Sequence, residues 1–276
     1  MTFKTRNSPT ACGAIVASQF NTVLGVLVVV LHLAISATVH AEDATNTSTI
    51  YAESEFQAKQ KAYETSRTNS DLACQFARAC FDRAEFATSD TQRAELAQLG
   101  IKAAREVLRH EPKNMQAHYN LGLNLGQLAR TKSLGALSIV DEMEKEFTAA
   151  RAMDEKYDFA GPDRTLGMLY YEAPSTISIG NRSKAKTHLQ RAVELAPEFP
   201  ENRLSLAEAR LQWRDRDGAR KELDALDAGL TKARAQFTGD AWAAAWFDWD
   251  QRLQKLRTQL KAPVKPVVTS PKGATK

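Results

Sequence analysis

The 276-residue sequence is short of the residues that break helices: it has 13 glycines and 9 prolines, together under about a tenth of the chain where roughly an eighth is usual. That shortage excludes collagen-like and low-complexity classes. With three cysteines it cannot be a disulfide-stapled miniature fold. Charge of one sign is also lacking, since 37 Lys+Arg against 33 Asp+Glu leaves only +4, too little to imply a nucleic-acid partner. No run of 18 or more apolar residues occurs, the longest being the roughly 15-residue stretch Val23–Ala37, which is short for a membrane-spanning helix. No H-E-x-x-H, G-x-S-x-G, Walker or Rossmann motif is present. His110, His118 and His188 share no ligand spacing, so no catalytic residue, metal site or cofactor is assigned.

What is present begins with an address. Lys4 and Arg6 precede the apolar stretch, no acid occurs before Glu42, and Val39-His40-Ala41 offers small residues to a signal peptidase. The reading is a secretory signal over residues 1–41, cleaved after Ala41 or retained as an anchor. Its loss lowers the formal charge from +4 to +2. Cys12 lies before the apolar stretch, so it is not a lipid-bearing cysteine. The expected location is extracytoplasmic, in the periplasm.

From Tyr51 onward apolar residues recur at helical spacing, as Ala185, Leu189, Ala192, Val193 and Ala196 do. Breakers separate the periodic blocks at Pro112, Gly161-Pro162, Pro174, Gly180, Pro197, Pro200, Gly218 and Gly239. The spacing predicts ten helices from Ile50–Ser66 to Asp240–Lys261. Residues 42–70 form an N-terminal helix and linker, and 262–276, with three prolines, a disordered tail.

Internal similarity is the decisive feature. Leu166-Gly167-Met168-Leu169-Tyr170, Ala185, Leu189, Ala192 and Pro197 follow the tetratricopeptide pattern, with Asp163 where that pattern has Trp. An upstream copy runs through Leu121-Gly122, Phe147 and Ala150, with His118 at the Trp position, and a downstream copy through Leu206-Ala207, Ala219, Leu223 and Leu226. A degraded first copy ends in Gly100, Ala104, Val107 and Pro112. The small residue lets the second helix approach, the large one fills the gap, and proline stops the second helix. The expected fold is all-α: four tetratricopeptide-like antiparallel helix pairs over 71–235 forming a short solenoid, with a Trp/Leu-rich capping helix over 236–261. Copies two and three carry extra residues between their helices, around Thr131–Leu137 and Glu172–Asn181, and such insertions often mark a binding face.

The runs Ala117–Ala129, Gly161–Pro174 and Ile179–Ala185 resemble the periplasmic T-component proteins of TRAP transporters. That resemblance implies an all-helical, non-enzymatic protein that pairs with an extracytoplasmic solute-binding protein. Members of that family are typically lipoproteins and can be trimeric, whereas this chain has no lipid-bearing cysteine after its signal. A small apolar organic acid or lipid-like ligand, or a general envelope scaffolding role, are the alternatives.

By motif register the inner groove would present Tyr119, Leu123, Gln127, Arg164, Met168, Tyr171, Leu204, Glu208 and Gln212, a mixture suited to an amphipathic ligand or a partner protein. The alternative is that they are packing residues or a solvated face. Arg130, Lys132, Arg164, Arg182 and Lys184 flank the inserted loops, either as an acid-binding cluster or as solvated charges. Trp242, Trp246, Trp249, Leu253, Leu256 and Leu260 follow a 4-3-4-3-4 spacing, read either as a cap on the last repeat or as a self-association seam in a homo-oligomer. Cys74 and Cys80 lie six residues apart on one expected helix, about 9 Å apart along its axis. A disulfide needs less than roughly 7 Å, so no bridge is expected while that helix is intact.

Overall fold

The computed structural model describes residues 35–132 and 136–262, with side chains from Thr47 onward. Most of the expected leader and of the C-terminal tail lie outside the described residues, as do residues 133–135 of the first insertion. The described residues form ten helices and no strand: α1 Ile35–Thr65, α2 Ser70–Glu85, α3 Asp90–His110, α4 Met115–Arg130, α5 Ala136–Met153, α6 Tyr157–Glu172, α7 Arg182–Leu195, α8 Pro200–Gln212, α9 Arg216–Gln236 and α10 Asp240–Lys261. Among them none is long and apolar enough to cross a membrane.

Local chemistry sets the helix starts. Side-chain oxygens of Asn69, Ser89, Asn114, Asn181 and Asp215 accept the N–H three residues on, satisfying one orphan donor in each first turn. Pro200 opens α8, where its missing N–H costs nothing. The pairs are α2/α3, α4/α5, α6/α7 and α8/α9, and successive pairs stack. The small residues of the motif do what the pattern requires. A Cβ on Gly122 would sit 2.5 Å from the Phe147 ring, and one on Gly167 would sit 2.7 Å from Leu189.

The Trp position of the motif is filled by a charge device. His118 Nδ1 lies 2.5 Å from Glu146, Asp163 Oδ1 2.7 Å from His188 Nδ1, and Arg203 donates to Glu222 at 2.8 Å. Each first member stands four residues before the small residue of its copy. Each second member stands one before the large residue of the partner helix. Three repeats thus lock their two helices with an ion pair or hydrogen bond where a bulky ring is usual.

The structure differs from the sequence-based expectation at three places. α1 begins at Ile35 rather than Ile50, so the expected cleavage point at Ala41 falls within it. Its second half packs on α2, and α1 also touches α10, so the first and last helices of the array meet. The third difference is at the start of α6, placed five residues earlier than Pro162. There Asp158, Phe159 and Ala160 form a left-handed turn with φ of 51°, 56° and 61°. Three consecutive non-glycine residues in this region cost about 1–2 kcal/mol each. The surroundings hold the turn in place. Arg164 donates to the carbonyls of Asp158 and Phe159, Asn202 Nδ2 donates to Phe159 O at 3.0 Å, and Tyr119 Oη donates to the Asp158 carboxylate at 2.9 Å. Phe159 stacks on Phe199 with ring centres 4.7 Å apart.

Cys74 and Cys80 are free and buried on the intact α2, as their spacing requires. Burial pushes the Cys74 thiol up to about 12 and raises that of Cys80 as well, so neither is a reactive thiolate.

Candidate interaction surface

Six of the nine residues expected to line a groove are instead interior. Tyr119, Leu123, Gln127, Arg164, Met168 and Leu204 are all buried, none more than 7% exposed. The physical reason is that the first helices of successive pairs turn this stripe onto their neighbours. Tyr119 and Arg164 hold the left-handed turn. Leu123 and Leu204 are core, and Met168 packs among Leu189, Leu206 and Ala209. Gln127 bonds Glu85 and accepts from Arg93 at 3.0 Å. A partner cannot reach these side chains in this conformation.

The tryptophan seam also faces inward. Trp242 and Trp249 are buried, packed with Phe199 and Phe237 in edge-to-face and tilted contacts. Trp246 is half-buried, donates its Nε1–H to Phe237 O at 2.6 Å, and carries the Arg234 guanidinium 4.3 Å above its ring. As a free self-association surface the seam is therefore corrected to a cap over the last repeat: its aromatic faces are already in contact within the chain. The loop-flanking cations do not converge either. Arg164 pairs with Asp158 and Arg130 with Glu85, while Lys184 lies over Tyr170 and Arg182 over Trp213.

The remaining three, Tyr171, Glu208 and Gln212, lie on neighbouring helices at one corner. Tyr171 and Glu172 end α6, and the second insertion, 173–181, follows. Asn181 N–H donates to Tyr170 O at 2.9 Å and Ser178 N–H to Pro174 O at 3.0 Å, so the insertion folds back on its own helix end. Gly180 makes this possible, since a Cβ there would lie 1.9 Å from Ala173 O. At the tip Ile177 is 68% exposed, the most exposed large apolar side chain described. Gln212 is exposed at the end of α8. Beside it Trp213 meets Tyr171 edge-to-face at 5.9 Å and carries Arg182 at 5.3 Å.

Behind these rings lies an unbalanced charge cluster. Arg252 of α10 is buried and forks onto three carboxylates: Glu201 at 2.7 and 3.0 Å, Glu208 at 2.8 and 3.0 Å, and Asp248 at 2.9 Å. Trp249 Nε1 and Ser205 Oγ complete the shell of Glu201. Burial holds the Glu201 and Asp248 carboxyls above their usual range. Glu172 is a fourth acid. Burial, and then the charge of Glu208, push it up to about 7. One guanidinium thus stands against four carboxyl groups, and three of these, Glu172, Glu201 and Asp248, are held above their usual range. Sequence reasoning found Tyr171, Glu208 and Gln212 and missed Glu172, Glu201, Asp248 and Arg252. The legible signal was the Asp248/Arg252 pair, four apart, on an otherwise apolar stripe.

A family model described as "Regulator of microtubule dynamics protein 1-3" matches residues 38–160, less than half of the chain. No curated protein matches. The fold is similar to the crystal structure of a thermophilic TPR protein of Thermus thermophilus. The identity is 16% and the TM-score 0.55, and the match covers 79% of this chain and 98% of that one. Yeast Tom70 is a more distant match, at 12% identity and a TM-score of 0.29, covering 76% of this chain and 60% of that one. Ten packed helices in antiparallel pairs and the Thermus structure together establish a TPR-like, all-helical fold for the described residues.

Proposed function

We propose that the chain is a non-enzymatic, extracytoplasmic TPR-type protein that docks a partner protein at the corner formed by α6, the 173–181 insertion, α8 and α10. The observation that carries this is the joining of an exposed apolar tip, Ile177, to half-buried rings and to carboxylates that outnumber their one cation. Tyr and Trp are among the residues enriched at energetic hot spots. The partner segment complementary to it is apolar and basic. The resemblance to T-component proteins supports a periplasmic solute-binding protein as that partner, because the Glu172-Ala-Pro…Ile179-Gly-Asn-Arg run on which it rests forms the corner itself. The microtubule-regulator match adds no partner here, since it ends at residue 160, before the corner begins.

A photo-crosslinking residue at position 177, in the chain expressed with its own leader, is expected to trap one discrete adduct, identified by mass spectrometry as an extracytoplasmic binding protein. An adduct formed from position 99 on α3 but not from 177 would move the docking surface elsewhere.

A second reading has one observation in its favour. Between α3 and α5 lies an open cleft of about 520 Å³, floored by Ile101, Leu125, Leu128 and Ile139 and rimmed by Lys102 and by the Arg105–Glu142 and Arg109–Glu106 ion pairs. Its apolar floor beside Lys102 suits a small apolar organic acid. Native mass spectrometry of the purified protein, or a thermal shift with medium-chain carboxylates, tests it; apo protein with no shift would dismiss it.

A further inference from the structure

We propose that Arg105 anchors the carboxylate of a medium-chain fatty acid in the α3/α5 cleft, and that Glu142 is a built-in stand-in for that carboxylate, seated on Arg105 until the ligand replaces it. This rests on the reading of the cleft as an acid-binding site and deepens it.

α3 and α5 both pack on α4, so α4 closes the base of the space between them. Leu125 and Leu128 stand about one turn apart on α4, with Ile101 of α3 and Ile139 of α5 beside them. An alkyl chain laid on these four side chains removes apolar surface from water on both partners. The polar lining comes from one wall and one facing residue: Gln98, Lys102, Arg105, Glu106 and Arg109 from α3, and Glu142 from α5. An apolar floor with charges along its rim fits a ligand that is apolar along its length and charged at one end.

The sign of that charge follows from the rim. Lys102, Arg105 and Arg109 face two acids, Glu106 and Glu142, so one further carboxylate brings the lining to balance. Arg109 is taken by Glu106 of its own helix. Arg105 instead reaches from α3 to α5, where both carboxylate oxygens of Glu142 lie on one nitrogen, Nη2, at 2.8 and 2.9 Å. A guanidinium holds a carboxylate best as a fork, with two nitrogens on two oxygens. Here Nε and Nη1 of Arg105 bond nothing among the described residues. The pair is also open to water, its side chains 53% and 33% exposed, and exposed ion pairs contribute little to stability. Glu142 therefore marks where a carboxylate sits on this rim and holds the place weakly. A fatty acid takes the fork on Arg105, with Lys102 one turn away on the same helix, and lays its chain on the floor.

Calorimetric titration of the full-length protein with octanoate tests this. 1-Octanol and octyltrimethylammonium serve as probes with the same chain and no carboxylate. The wild type is expected to bind octanoate at least tenfold tighter than either. Glu142→Gln, which removes the competing charge and keeps the shape, should bind octanoate at least threefold tighter than the wild type, and Arg105→Gln at least tenfold more weakly. Adding Glu142→Gln to Arg105→Gln should bring no gain, because Glu142 competes only through Arg105. Both positions are on the surface, and unchanged melting curves would show the array intact in each variant. Equal binding by the wild type and Glu142→Gln, or the same gain from Glu142→Gln with Arg105 already replaced, would overturn the stand-in while leaving the cleft a binding site. Octanol binding as tightly as octanoate would overturn the carboxylate anchor. No binding of octanoate to the wild type or to Glu142→Gln would dismiss the cleft and its anchor together. None of these outcomes touches the crosslink at position 177, so the docking corner stands or falls separately.

Discussion

Two of the charged clusters within this array differ in balance. The first joins Arg78, Asp82, Asp158 and Arg164, two cations to two acids. Arg78 lies 3.0 Å from Asp82 and 3.5 Å from Asp158, and Arg164 lies 3.3 Å from Asp158. It is closed off by Tyr119, whose phenol is raised by burial well above its usual range. The second sets Arg252 against Glu201, Glu208 and Asp248, with Glu172 beyond. A balanced cluster with its oxygens bonded and its residues interior holds a strained turn. An unbalanced one, beside exposed apolar and aromatic groups, instead holds its surplus carboxyls above their usual range. Burial alone does not separate the two, since Arg78 and Arg252 are both interior. The count of charges does.

The largest effect should come from breaking the balanced cluster. Asp158→Ala removes the carboxylate shared by Arg78, Arg164 and Tyr119 and leaves the two buried guanidinium groups with one acid fewer between them. Breaking a buried pair by deleting one member costs about 3–5 kcal/mol. Urea denaturation should show a loss of that order, and a loss under about 1 kcal/mol would mean that the cluster does not hold the turn. Next comes Arg252→Leu, which leaves Glu201, Glu208 and Asp248 without their cation. Its cost should be about 3 kcal/mol at pH 8. It should shrink as the pH falls to 5, because the crowded carboxyls then take up protons. An equal loss at both pH values would show that the missing packing, and not the charge, matters.

Much of this was legible beforehand, and what was missed has a common cause. Repeat register located the close approaches of Gly122 to Phe147 and Gly167 to Leu189, because one small residue facing one large residue is a pairwise constraint written in the sequence. α3, α4 and α10 fell where their caps and breakers placed them. The left-handed turn at 158–160 was not legible. Nothing local favours φ above zero at Phe and Ala; the conformation is held by Arg164 a few residues on and by Tyr119 and Asn202, 39 and 43 positions away. Motif register placed Tyr119 and Arg164 in the groove, and the turn draws them inward as its supports. Tyr171, Glu208 and Gln212 stayed accessible because they lie at helix ends beside an insertion, where no next repeat covers them.

A smaller effect, of opposite sign, sharpens the view of the unbalanced cluster. Glu172 titrates at about 7 in the folded chain against an ordinary value of 4.5. Between those values the folded state binds more protons than the unfolded one, so stability rises as the pH falls through 7 and the gain is complete near 4.5. Above 7 Glu172 is ionised in both states and burdens the fold. Glu172→Gln should therefore stabilise the chain at pH 8, by about 1–2 kcal/mol after allowing for solvent screening of a half-buried group. The gain should vanish by pH 5. Thermal melts of both proteins across this range would show it, and a parallel offset at every pH would place the perturbed acid elsewhere.

Ile177→Ser should have the smallest effect on the fold and is the most informative about function. The side chain is 68% exposed at the tip of the insertion, and surface changes of this kind normally move stability by less than about 0.5 kcal/mol. If the corner docks a partner through this apolar tip, capture of that partner should fall at least tenfold while the melting curve stays in place. The contrast with Asp158→Ala is then complete, one substitution removing the scaffold and the other only the contact. Unchanged capture by the Ile177→Ser protein, with capture lost in an Arg105→Glu variant at the α3/α5 cleft, would transfer the docking role to that cleft. The corner's surplus carboxylates would then serve only to make the C-terminal end of the array respond to pH.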